Sequence, residues 1–119
     1  MIKLKPEFKA QWLDALRSGK YPQGTVYLRR KDFDDLPGGF CCLGVGCDIT
    51  DSTQWNDAGN AFGYDSDSNI CIVPIEVARE WFVDCTSDGQ VHNVLNVLTS
   101  MNDGGKDFAT IADWIEANL

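Results

Sequence analysis

Phe40-Cys41-Cys42-Leu43-Gly44-Val45-Gly46-Cys47-Asp48-Ile49 puts three thiols, two glycines and one carboxylate into a short apolar run. So apolar a run belongs in the interior, where each polar or reactive atom needs a partner or a purpose. Its length leaves a buried strand and a short helix both open. The short helix is favoured, starting near Cys41 or Cys42, with Gly44 and Gly46 admitting another backbone at close range. Each glycine costs such a helix about 1 kcal/mol relative to alanine.

Toward the N-terminus, Pro6 suits a first helical position and Glu7 favours the positive helix start. Phe8, Trp12, Ala15 and Leu16 share one face, and Ser18-Gly19 ends the helix. Lys20 to Gly24 reads as a turn, and Thr25 to Arg29 as a strand. Asp34 to Gly39 is loop. Toward the C-terminus, residues 50–69 read as a packed surface loop in which Ala61–Tyr64 and Asn69–Val73 could pair across Asp65 to Ser68. Pro74 opens a helix over Ile75 to Phe82. Val91, Val94, Leu95, Leu98 and Met101 form the apolar face of a further helix, stopped by Asn102-Asp103-Gly104-Gly105. Asp107 caps a last one, whose Phe108, Ile111, Ala112, Ile115 and Leu119 repeat that spacing, and these two helices are expected to pair antiparallel. The expected fold is α+β: about four helices packed around a small antiparallel β-sheet, in a single compact domain over residues 1–119.

Charge is uneven along the chain. Residues 1–31 hold eight of the ten Lys and Arg with only two acids, whereas residues 32–119 hold two basic residues and sixteen acids. The basic arm either lies on the acidic body or forms a lip, with Arg29, Arg30 and Lys31 facing an anionic ligand. A net charge of -8 argues against general nucleic-acid binding. No apolar run reaches membrane-spanning length, and the N-terminus lacks a secretory signal, so the cytoplasm is the expected compartment. Five cysteines without an export signal argue against a disulfide framework, and the absence of Cys-x-x-Cys argues against zinc. Buried free thiols are expected instead, with no metal and no cofactor.

Few residues offer chemistry. Cys41 or Cys42 at a helix start could be an activated thiol, and His92, the only histidine, its base; core cysteines and a surface histidine explain the same residues. Asp65-Ser66-Asp67-Ser68-Asn69 lacks the sixth-position glycine and twelfth-position glutamate of a calcium loop. The best binding surface combines Tyr21 for stacking, Gln23 for hydrogen-bonding edges and Arg29 with Arg30 for phosphate. Asp48 and Asp103 are candidates for ribose hydroxyls, though a structural partner or a turn also accounts for each.

Three blocks carry a resemblance. They are Trp12-x-x-Ala15-Leu16-Arg17-Ser18-Gly19-x-Tyr21-x-Gln23-Gly24, Phe40-Cys41-Cys42-Leu43-Gly44-Val45-x-Cys47-Asp48 and Asn102-Asp103-x-Gly105-x-x-Phe108-x-x-Ile111-Ala112-Asp113-x-Ile115-Glu116. Together they resemble a family of small uncharacterised proteins of tailed bacteriophages and prophages; Gly46 stands where a large apolar residue is usual. The resemblance implies phage expression in a bacterial cytoplasm and supplies no activity. By analogy of context, the expected function is a phage accessory protein, of anti-defence type, that sequesters a small anionic nucleotide-type host signal without catalysis. The alternatives are an acidic protein-interaction module that inhibits a host enzyme, and a cysteine-dependent hydrolase using Cys41 or Cys42 with His92.

Overall fold

A computed structural model describes residues 2–32, 38–50, 55–57, 61–64, 71, 73–83 and 88–119. In chain order the elements are α1 (Pro6–Arg17), β1 (Arg29–Arg30), β2 (Gly39–Phe40), α2 (Cys42–Asp48), β3 (Trp55–Asp57), β4 (Ala61–Tyr64), α3 (Ile75–Arg79), α4 (Asp88–Asp103) and α5 (Phe108–Asn118). The antiparallel sheet runs β2-β1-β4-β3, so the molecule is an α+β domain of five described helices around a small sheet. Its radius of gyration is 13.4 Å, close to the roughly 13–14 Å of a folded chain of this length.

Within the 40–49 block Cys42–Asp48 is helical, and every residue from Cys41 to Cys47 is buried. The extended Cys41 caps α2, its sulfur accepting from Gly44 N at 3.3 Å. α2 packs between α1 and α4. On one side the Trp12 indole donates to the Cys42 carbonyl at 3.0 Å; on another, Leu28 lays its backbone across the helix, and a Cβ on Gly44 would collide with the Leu28 carbonyl. At Gly46 a Cβ would meet the indoles of Trp81 at 3.0 Å and Trp12 at 3.3 Å. These two rings leave no room there for a larger side chain.

α1 starts at Pro6 and ends through Ser18 into Gly19, whose φ of +75° is the left-handed stop expected of it. It buries Trp12, Leu13 and Leu16. α5 packs most extensively on α1 and only modestly on α4, and Asp107 caps it by accepting from Thr110 N at 2.8 Å. The basic arm is divided. Arg17 pairs with Asp113 and Glu116 of α5 at 2.9 Å each, and Lys9 reaches the Glu116 carbonyl, while Arg29 to Lys31 lie at the sheet.

Three expected elements differ. Thr25 to Leu28 is not strand; pairing begins at Arg29, because Asp103 captures the Val26 N–H at 3.0 Å and Tyr27 N bonds back to Thr25 O at 2.8 Å. Ala61–Tyr64 pairs with β1 and β3, while its expected partner Asn69–Val73, but for residues 71 and 73, and the turn across Asp65 to Ser68 fall outside the described residues. α3 stops at Arg79 rather than Phe82, since Phe82 bridges Leu4 and the Trp81 carbonyl accepts from Lys5 N.

Val26 has φ +72° and is 54% exposed. A β-branched residue in this γ-turn is strained, and its exposed side chain returns little packing. Val26→Gly is therefore expected to raise stability by about 1 kcal/mol. Urea unfolding checks it, and a loss of stability would contradict the strain.

Candidate functional site

Strand register sets one wall of the site. Arg29 lies opposite Phe40 on β2 and Phe62 on β4, and Phe62 lies opposite Asp57 on β3. Trp55, two residues before Asp57, therefore shares the sheet face of Arg29 and Phe40. The Arg29 guanidinium carbon sits 5.3 Å from the Phe40 ring centre and 5.7 Å from that of Trp55, within cation–π range. Tyr21 meets Phe40 edge-on at 5.0 Å. Asp48, at the end of α2, accepts from the Tyr21 hydroxyl at 2.6 Å and from the Trp55 indole at 3.0 Å. Tyr21, Arg29 and Asp48, far apart in sequence, thus meet in one cluster. Burial first, then the Asp48 carboxylate, pushes the Tyr21 phenol up to about 12.

Beside this cluster lies a cavity of about 290 Å³ lined by Pro22, Arg29, Arg30, Lys31, Asp32 and the 38–40 backbone turn. Asp32 accepts from the Gly38 N–H, closing the cavity's rim. Strand alternation puts Arg30 on the opposite sheet face from Arg29, so the two arginines do not form one fork. They reach the same concavity from different sides of β1. A larger cavity, about 490 Å³, opens at the start of α1 between Lys5, Glu7, Phe8, Thr50, Glu80 and Trp81. Its charges are mixed, and it is lined by none of the candidate binding or catalytic residues read from the sequence.

Gln23 and Asp103 have structural work instead. Gln23 Nε2 donates to Asn102 Oδ1 at 3.1 Å and the Lys106 carbonyl at 2.7 Å, while its Oε1 accepts from Phe108 N at 3.1 Å, at the start of α5. Asp103 holds the Val26 turn. Asp48 has a ring donor on each of its carboxylate oxygens and so already serves a structural role. Sequence reasoning missed the parts played by Phe40, Trp55 and the buried Asn102. The pairing of β1 with β2 brings Phe40 to the site and the pairings of β4 with β1 and β3 bring Trp55, and no local pattern encodes them.

The thiols are packed rather than activated. Burial pushes Cys41 up to about 11 even though it caps α2, and holds Cys42 and Cys47 well above the usual thiol range. Cys42 donates to the Leu98 carbonyl at 3.6 Å. His92 is exposed on α4, six residues before Leu98, about 9 Å along the helix axis. Among the described residues, neither Cys41 nor Cys42 is paired with His92. Cys71, in contrast, is exposed, which corrects the expectation of uniformly buried thiols; Cys85 lies outside the described residues. Native protein should therefore label quickly at Cys71 and slowly at Cys41, Cys42 and Cys47, as read by mass spectrometry. A raised folded pKa adds stability that is complete below the unfolded thiol value near 9 and fades as pH climbs through about 11 for Cys41. Protection should be lost over the same alkaline window. Fast neutral-pH labelling of Cys41 or Cys42 would contradict the packed role.

Among the described residues, no group of three or more His, Cys, Asp or Glu is placed to hold a metal, and no helix is long and apolar enough to cross a membrane. Residues 4–119 match the family model described as Domain of unknown function (DUF8296), and the chain belongs to that family. No curated protein and no solved structure matches it.

Proposed function

We propose that this protein is a non-enzymatic binding protein that sequesters a small anionic, nucleotide-type ligand, with its phosphate in the cavity of Arg29, Arg30 and Lys31. The observation that carries this reading is the convergence of three successive basic residues on one concavity in a chain of net charge -8. The Tyr21, Phe40 and Trp55 rings stand beside it; Arg29 lies over the latter two, and Tyr21 offers a stacking face for a base. The acidic remainder repels long polyanions, while a small ligand within a Debye length, about 8–10 Å, experiences mainly the local cations. In the phage context implied by the sequence resemblance, the role is that of an accessory, anti-defence protein in the host cytoplasm.

Titration calorimetry against cyclic dinucleotides, ADP-ribose and mononucleotides at low salt tests the proposal. Wild type should bind at least one of them, and Arg30→Ala or Lys31→Ala should weaken binding about tenfold or more, the loss of one charge-assisted hydrogen bond. Arg30 and Lys31 are the cleaner probes, since Arg29 also packs on two rings and its loss would disturb the sheet. No binding by wild type, or wild-type affinity in both variants, would overturn the reading. The second reading, an acidic module that inhibits a host enzyme, draws support from the exposed, strained Val26, whose side chain serves the isolated fold poorly. It moves ahead if the panel is silent.

A further inference from the structure

Asp48 occupies an unusual position for a carboxylate. It ends α2, where the helix dipole disfavours negative charge, and it is half-buried beside an apolar block. Two ring donors compensate it: the Tyr21 hydroxyl on one oxygen and the Trp55 indole N–H on the other. These two rings flank Phe40, with Tyr21 edge-on at 5.0 Å and Trp55 at 6.3 Å with an interplanar angle of 75°. Arg29 rests over Phe40 and Trp55. One carboxylate thus ties together the turn at Tyr21, the helix α2 and the edge strand β3, whose Trp55 ring carries the guanidinium together with Phe40.

We infer that Asp48 is a positioning residue: by holding Tyr21 and Trp55 through its two oxygens, it fixes the aromatic frame that orients Arg29 toward a phosphate in the neighbouring cavity. The inference rests on the reading of that cavity as an anion site and assigns Asp48 a role other than ligand contact. Pre-orienting a guanidinium matters because its planar donors reward a fixed geometry, and a mobile arginine must lose rotamer freedom on binding. An amide cannot replace the carboxylate. Asparagine can hold the indole on its Oδ1, but its NH2 then faces the Tyr21 hydroxyl, which must turn from donor to acceptor, so the charge-assisted bond that fixes Tyr21 is lost.

The test uses Asp48→Asn and Tyr21→Phe with ADP-ribose as the calorimetric probe, and alkaline absorbance titration of the unliganded protein. The Tyr21 phenol, raised to about 12 by burial and Asp48 and opposed by Arg29, should titrate at lower pH in Asp48→Asn. Subtracting the Tyr21→Phe curve isolates it from Tyr27 and Tyr64. Affinity should fall about tenfold in Asp48→Asn while the folded fraction at the assay temperature stays complete. Tyr21→Phe, which keeps the ring and frees one oxygen, should lie between. Equal affinity in wild type and Asp48→Asn would overturn the positioning role and leave the cavity reading intact. No binding by wild type would overturn the cavity reading itself, and the positioning role with it. If Asp48→Asn does not fold, Tyr21→Phe decides: unchanged affinity counts against the frame, and weakened affinity with unchanged melting supports it.

Discussion

Asn102→Ala is expected to lower the unfolding free energy by about 3–5 kcal/mol, a large loss for a single polar side chain. Asn102 is 1% exposed and uses both ends of its amide. Its Oδ1 accepts from Cys42 N and Gln23 Nε2, each at 3.1 Å, and its Nδ2 donates to the Gly24 carbonyl at 2.8 Å. Truncation strands the first amide of α2 and a turn carbonyl where water has poor access, and each buried unpaired group costs about 1–3 kcal/mol. Asn102→Asp restores the acceptor but not the donor, and adds a buried charge, so it should not rescue. Urea unfolding measures both variants. A loss below about 1 kcal/mol for Asn102→Ala would show that water replaces the side chain and that the junction is open.

Gly44→Ala is the second large effect, and its sign is informative. In an ordinary helix this change gains about 1 kcal/mol from propensity. Here the added methyl meets the Leu28 carbonyl, a backbone atom held by Cys41 N at 3.2 Å and flanked by a wholly buried Leu28 side chain. Backbone cannot rotate aside as a side chain can, so α2 and the 25–29 segment must separate. We expect a net loss of about 3 kcal/mol or more, at the upper end of overpacking effects. A neutral or stabilising Gly44→Ala in thermal unfolding would mean that Leu28 does not cross α2 as described.

Asn102 is where three distant segments of the sequence meet. It bonds Gln23 and Gly24 in the first and Cys42 in the second. The helices were legible in advance because each has a local cause: Pro6 and Gly19 bound α1, Asp107 caps α5, and apolar spacing marks α4. The sheet was less legible. Its strands run two to four residues, too short for alternation to register, and β4 takes its partners from segments on both sides of α2. The segment from Thr25 to Leu28 has strand composition, yet a side chain more than seventy residues away, Asp103, takes the Val26 amide and turns it.

The site was legible in part for the same reason. Arg29, Arg30 and Lys31 stand out as a charge run, and they do line a cavity. Tyr21 and Asp48 are near it but bonded to each other, and Gln23 is committed to α5. Residue type pointed to hydrogen-bonding capacity; only the fold shows that most of this capacity is already used within the protein.

Amide chemical-shift mapping on labelled protein, titrated with the tightest-binding nucleotide of the calorimetric panel, tests the anion site most directly, since it locates the ligand without any substitution. Binding at the cavity should move the amides of Arg29 to Lys31 and of Gly38 to Phe40 first and most, with Tyr21 and the Trp55 indole following. Shifts that are absent, or centred on the start of α1 or on the Val26 turn, would contradict it.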